Sequence, residues 1–126
     1  MIKFVLDYSS SIPIYRQIID QIRFGIASGQ LVLGEQLPTV RSLAVELKVN
    51  LNTVSKAYKE LEIKNVLTTQ QGTGTFINSI DFTLSDEEKH RRLKEICSQC
   101  ITAAHSYGFT IADIVNEITS NKEINV

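Results

Sequence analysis

The sequence predicts a mainly α-helical chain with one small β-hairpin, and three observations predict it. Apolar residues recur at helical spacing in five stretches bounded by capping or stopping residues. Between the third and fourth, Val66-Leu67-Thr68-Thr69-Gln70 and Thr75-Phe76-Ile77 read as two strands around Gln71-Gly72-Thr73-Gly74. No apolar run approaches the ~20 residues that cross a bilayer.

Residues 2–6 read as a short extended segment, and Ser9-Ser10-Ser11 as turn material. Pro13 fits the first turn of a helix, where its missing N–H costs nothing. Ile14, Tyr15, Ile18, Ile19, Ile22 and Ile26 then share a stripe wide enough to face a core. Gly29 stops this helix because it tolerates a left-handed conformation. Leu31-Val32-Leu33 with Gly34 follows as a connector or short strand. Thr39, after Pro38, is expected to cap a short helix through Leu47, with Val40, Leu43, Ala44 and Leu47 inward. Asn50 or Asn52 caps the next helix, which runs to about Lys64. Asn65, second to Gly at left-handed stops, ends it.

Three helices followed by a hairpin make a winged helix-turn-helix, assigned to residues 1–79. Residues 80–126 form the tail. Its linker reaches residue 84, and Ser85-Asp86-Glu87-Glu88 is a capping box with Leu84 as hydrophobic staple. That helix is expected to end near Tyr107, before Gly108. Thr110-Ile111-Ala112-Asp113 opens the last helix, and residues 121–126 are expected to fray.

On the helix after Asn50, Val54, Ala57, Tyr58 and Leu61 gather on one side, while Asn52, Ser55, Lys56 and Lys59 gather on the other. A buried seam backed by amide, hydroxyl and ammonium groups suits reading base edges between phosphates. Four polar residues alone would be an ordinary solvated face. The two-helix setting and the following hairpin favour double-stranded DNA as the partner.

Composition sets bounds on that reading. At 126 residues the chain is long enough for one domain, or one small domain with an appendage, and its 43% hydrophobic content excludes a disordered protein. The pI of about 6.1 is low for a nucleic-acid binder, whose domain often exceeds ~9. Residues 1–80 hold 8 Lys/Arg against 6 Asp/Glu, and residues 81–126 hold 5 against 8. Any DNA contact should come from a few well-placed cations rather than a broad basic field. Residues 1–6 are too short for a secretory signal, and two cysteines without one point to the cytoplasm.

Cys97-Ser98-Gln99-Cys100, with His90 and His105 nearby, invites a metal or thiol-sensing site. The segment reads as continuous helix, however, and His90, Leu93, Ile96, Cys97, Cys100, Ile101, Ala104 and Tyr107 share one stripe. Burial of both thiols in an apolar face is the expectation, with no metal. No catalytic constellation and no cofactor motif is present.

Residues 81–126 carry two apolar stripes but too few residues for an independent core. A second copy is the simplest cover, giving a homodimer through Leu93, Ile96, Cys97, Cys100, Ile101 and Ala104 of one helix and Ile111, Ile114, Val115 and Ile118 of the other.

With these motifs placed, residues 12–77 resemble the DNA-binding domain of the GntR family of bacterial transcription regulators. The resemblance rests on Pro13-Ile14-Tyr15-Arg16-Gln17-Ile18, on Gly29-Gln30-Leu31 with Gly34, and on Leu37-Pro38-Thr39-Val40-Arg41-Ser42-Leu43-Ala44. It continues through Asn52-Thr53-Val54-Ser55-Lys56-Ala57-Tyr58-Lys59-Glu60-Leu61 and Gly72-Thr73-Gly74-Thr75-Phe76. The short tail is similar to that of the YtrA-type subfamily, which carries two dimerisation helices in place of a ligand-binding domain.

The resemblance implies that Arg41 meets the DNA backbone or groove edge. It implies that Asn50, Asn52, Thr53, Ser55 and Lys56 contact bases and phosphates, and that Gln71 and Gly72 sit at a wing tip entering the minor groove. Leu51 stands where many relatives carry Pro, Arg or another polar residue, so no contact is carried over there. Asn65 replaces the usual glycine. Gln70 and Gln71 replace common basic residues, which lowers the phosphate attraction expected of the wing. The implied function is a transcription regulator, a repressor, bound as a homodimer to a palindromic operator. No effector is named by these residues. The alternatives are a winged-helix protein-interaction module and a thiol- or metal-responsive regulator using Cys97 and Cys100.

Overall fold

Side-chain caps begin four of the five helices in the computed structural model, which describes residues 2–79 and 84–121. The elements are α1 (Ile14–Ala27), β1 (Gln36–Leu37), α2 (Val40–Leu47), α3 (Leu51–Ile63), β2 (Leu67–Gln70), β3 (Gly74–Ile77), α4 (Asp86–Ser106) and α5 (Ile111–Ser120). The chain divides into two compact units between residues 83 and 84. Of residues 121–126, expected to fray, Asn121 instead caps α5 and donates its N–H to Glu117 O at 3.1 Å. Residues 122–126 lie outside those described, as does most of the expected linker. Among the described residues no helix is long and apolar enough to cross a membrane.

In the first unit α3 packs against both α1 and α2, and its C-terminal end reaches β2. The core is built from Ile18, Ile19, Ile22 and Ile26 of α1, Leu43 and Ala44 of α2, and Val54, Ala57, Tyr58 and Leu61 of α3, closed by Leu37, Leu67 and Ile77 of the sheet. These are the stripes that helical periodicity predicts. Pro13 is the N-cap of α1 rather than a first-turn residue, and its carbonyl accepts from Gln17 N at 3.1 Å.

Two irregular segments gain partners that the sequence left open. Residues 2–6 pair with no strand. They lie along α1, where the Gln21 amide accepts from Val5 N at 2.9 Å and donates to Val5 O. The buried Gln17 amide likewise accepts from Asp7 N and donates to Asp7 O, both at 2.9 Å. Two glutamine amides thus do for this segment what a neighbouring strand would do, and Phe4, just before Val5, is buried. Of the two readings of Leu31-Val32-Leu33, connector or short strand, the structure shows the connector. Gln36–Leu37 pairs antiparallel with β3 instead, giving a three-stranded sheet of order β1-β3-β2.

The hairpin turn closes through Thr73 N donating to Gln70 O at 2.9 Å. Gly72 at φ 80° occupies its third position, where a type II turn needs glycine. Gly74, at φ 141°, has the Gln36 side chain against it, and a Cβ there would collide with Gln36 Nε2. That amide donates to Thr73 O at 3.0 Å and braces the wing from β1.

The second unit is a pair of helices. Ser85 Oγ accepts from Glu88 N at 3.0 Å at the start of α4. Thr110 and Asp113 form a reciprocal capping box on α5. Neither helix contains a buried residue.

Tyr58 gives this fold a pH-dependent component. Its hydroxyl donates to Pro38 O at 2.7 Å, and burial, followed by the charge of Glu46, pushes its pKa above the usual 10.0. The folded state therefore holds this proton more tightly than the unfolded chain does. The contribution is fully present below about pH 10 and is lost as pH rises beyond it, by about 1.4 kcal/mol per pH unit until the folded pKa is passed. Tyr58→Phe should lose about 1 kcal/mol at pH 7 with the hydrogen bond and fall less steeply between about pH 10 and 11. Urea midpoints at neutral and alkaline pH measure both effects. Equal alkaline sensitivity in parent and variant would place the titration elsewhere.

Candidate nucleic-acid interface

The geometry of the candidate interface begins at the α2–α3 corner. Thr39 Oγ1 caps α2 through Ser42 N at 3.0 Å. Lys48 takes the left-handed conformation, φ 57°, and Val49 N returns to Ala44 O at 3.0 Å, so the chain reverses tightly into α3. Asn50 rather than Asn52 is the cap. Its Oδ1 accepts from Asn52 N at 2.8 Å, which commits that oxygen to the helix and leaves the Nδ2 group for other partners.

With the cap settled, the outward side of α3 is exposed where Val54, Ala57, Tyr58 and Leu61 oppose it in the core. Asn52, Lys56 and Lys59 are exposed, and Thr53 and Ser55 are half-buried along the flanks. Arg41, in the first turn of α2, is exposed and has no ion-pair partner among the described residues. Gln71 and Gly72 are exposed at the tip of the hairpin. Leu51 is exposed at the first turn of α3.

The structure adds a cluster that periodicity did not reveal. Tyr15 belongs to the expected inner stripe of α1, yet it is half-buried, and the Lys56 ammonium stands 4.0 Å from its ring centroid. Beside it, Arg16 lies 3.7 Å from the Glu60 carboxylate, which Lys64 also approaches at 3.9 Å. Glu60 Oε2 is buried without a conventional hydrogen bond, so these two cations are what balances it. The available signal was a tyrosine in the first turn of a helix, where its amphipathic ring reaches the end of the core.

The cysteine expectation is corrected for the single chain. Cys97 and Cys100 are free and exposed, on a helix with no buried residue. Leu93, Ile96, Ile111, Val115 and Ile118 are exposed too, and Ile101, Ala104 and Ile114 are half-buried. Among the described residues no group of three or more His, Cys, Asp or Glu is placed to hold a metal ion.

A helix-turn-helix with a braced wing and a cation-bearing polar face defines a DNA-binding transcription regulator of the winged-helix class. The chain belongs to the GntR family. Residues 14–77 match the family described as "Bacterial regulatory proteins, gntR family". The HTH-type transcriptional repressor YtrA of Bacillus subtilis (strain 168) is 40% identical over 119 residues, covering 92% of each chain. A transcriptional antiterminator from Listeria monocytogenes EGD-e has a similar structure, with a TM-score of 0.61 and 33% identity over 96% of this chain and 90% of its own. The DNA-binding domain of AraR, solved with its operator ORX1, matches at a TM-score of 0.51 and 28% identity, over 58% of this chain and 92% of its own. The family resemblance drawn from the motifs holds, and so does the YtrA-like organisation.

The cap assignment is open to direct measurement. Asn50→Ala should lower stability by about 1 kcal/mol, while Asn50→Asp or Asn50→Ser should recover most of it. Urea unfolding of the three variants checks this, and an Asn50→Ala variant as stable as the parent would remove Asn50 from the capping role.

Proposed function

We propose that the chain is a cytoplasmic transcription repressor that binds a palindromic operator as a homodimer, without catalytic activity. The observation that carries this reading is the exposed polar face of α3, opposite a seam in which Val54, Ala57, Tyr58 and Leu61 are at most 1% exposed. Asn52 is the base-reading side chain, with its amide free of the capping role. Lys56 and Arg41 meet phosphates, and Gln71 and Gly72 bring the wing to the minor groove. Asn50, Thr53 and Ser55 border the same contact. The AraR domain's complex with its operator and the repressor YtrA support the partner and the outcome. Repression follows when a bound dimer occludes polymerase.

Selection of bound sequences from a random duplex pool supplies the operator. Lys56→Ala should then weaken operator and random duplex alike and reduce the salt slope by about one unit. Asn52→Ala should instead relax preference at one base pair, costing about 1–3 kcal/mol there. Parental binding by both variants would refute this placement of the face.

The tail supplies the second subunit. Leu93, Ile96, Cys97, Cys100, Ile101 and Ala104 of α4, with Ile111, Ile114, Val115 and Ile118 of α5, form the dimer contact. Exposed Leu93, Ile96, Ile111, Val115 and Ile118 support this, because a short unit that leaves its own apolar side chains uncovered needs a partner. A chain cut after Ser79 should stay folded on its own core but become monomeric. Its affinity for a two-half-site operator should fall by about 10²–10⁴-fold, because two linked readers become one. Ile101→Asp in the full chain should also weaken assembly by placing a carboxylate in the contact. Sedimentation and binding to one- and two-half-site duplexes measure these effects. A truncated chain that dimerises and binds the full operator as the parent does would rule out the tail as the dimer element.

A further inference from the structure

Lys56 and Glu60 stand one turn apart on α3, the spacing at which opposite charges normally pair. No ion pair joins them among the described residues. Glu60 is taken by Arg16 at 3.7 Å and Lys64 at 3.9 Å, while the Lys56 ammonium lies 4.0 Å from the Tyr15 ring centroid. The Lys-before-Glu order is the weaker of the two helical arrangements, which makes this exchange of partners easier.

We infer that Tyr15 is a positioning residue of the DNA interface, whose ring holds the Lys56 ammonium at the edge of the α3 outward face for a phosphate of the duplex backbone. The inference rests on Lys56 being a phosphate contact.

The choice of holder matters physically. A carboxylate holds an ammonium by neutralising it, and a phosphate would have to displace that partner before binding. An aromatic face attracts the cation through its quadrupole and leaves the net charge intact. Lysine is flexible, so a side chain already held near its bound direction loses less freedom when the duplex arrives. Arg16 contributes by occupying the carboxylate that would otherwise draw Lys56 along the helix. Tyr15 and Arg16 are neighbours in the first turn of α1, so one short segment both holds Lys56 and keeps its natural competitor engaged. Without the ring, Lys56 would be mobile and within a helical turn of Glu60.

The test uses the full chain, the selected operator duplex and a random duplex of equal length. Lys56→Ala should weaken both by about fivefold at 0.15 M salt, the loss that corresponds to a salt slope smaller by about 0.9. Tyr15→Leu should weaken both by about threefold in the parent, and Tyr15→Phe, which keeps the ring, should stay within about twofold of it. In a Lys56→Ala background, Tyr15→Leu should have no further effect, the signature of coupled residues. Proton NMR of the free protein should show the Lys56 ε-methylene shifted upfield by the ring current in the parent and in Tyr15→Phe. That measurement decides the matter even if Tyr15→Leu fails to fold, since an unshifted Lys56 in the parent overturns the inference. Equal weakening by Tyr15→Leu with and without Lys56 also overturns it, because the ring would then serve the fold alone. If Lys56→Ala weakens binding and Tyr15→Leu does not, this inference falls and the phosphate contact stands. If Lys56→Ala binds with parental affinity and slope, both fall together.

Discussion

Tyr58 reaches from the middle of α3 to the carbonyl of Pro38, 2.7 Å from its hydroxyl, and the direction of the outward face depends on that reach. A helix that must present a few side chains to a ligand cannot be free to roll. The Val54, Ala57, Tyr58 and Leu61 seam removes that freedom by burial, and the hydroxyl bond sets the helix against the turn before α2. The bond also satisfies a carbonyl in the turn that leads into the Thr39 cap, so the starts of α2 and α3 are fixed by linked contacts. A rigid scaffold of this kind lets a short polar face be specific, since misplacement by an ångström would forfeit bidentate contacts.

Charge is used sparingly in the same unit. A broad basic field would raise affinity for any duplex, and with it non-specific binding. Here the cations near α3 are divided by task. Arg16 and Lys64 balance the buried oxygen of Glu60, whereas Arg41 and Lys59 have no ion-pair partner among the described residues. Lys56 is held by a neutral ring. The modest excess of positive charge over residues 1–80 therefore understates the number of cations left available, because part of the acidic complement is already matched internally. Net charge is a weak guide to such a face for this reason.

The helices and the hairpin were legible because their signals are local and repeated. Period-3.6 stripes in residues 14–26, 40–47 and 54–61, with caps at Thr39 and Thr110, carry enough independent marks to fix an element and its inner face. β1 was not legible, because two residues cannot display alternation, and its pairing with β3 joins positions nearly forty residues apart. The segment at residues 2–6 was legible as extended but not as unpaired, since its partners are side-chain amides of Gln17 and Gln21 that sequence marks only as polar. In the candidate site, the outward residues of α3 were readable from the helix alone. The Tyr15–Lys56 contact was not, because it needs the crossing of α1 over α3. Asn50 illustrates a different limit. Two asparagines two positions apart both fit a cap, and only backbone geometry distinguishes them.

The tail answers a requirement that the first unit leaves open. A short α3 face with few cations offers limited affinity for one half-site, and adding cations would raise affinity for every sequence equally. Under the proposed reading, joining two such faces multiplies affinity through effective concentration while leaving each face as discriminating as before. The composition of α4 fits that division. Asp86, Glu87 and Glu88 crowd its first turn, where the helix dipole favours negative charge, and its Leu93 and Ile96 are exposed. Acidic residues in the tail repel phosphate, so a tail that joins subunits as proposed would add no non-specific attraction to the duplex. In the proposed reading, specific contact and subunit assembly are carried by separate segments of opposite charge balance, and each can change without degrading the other.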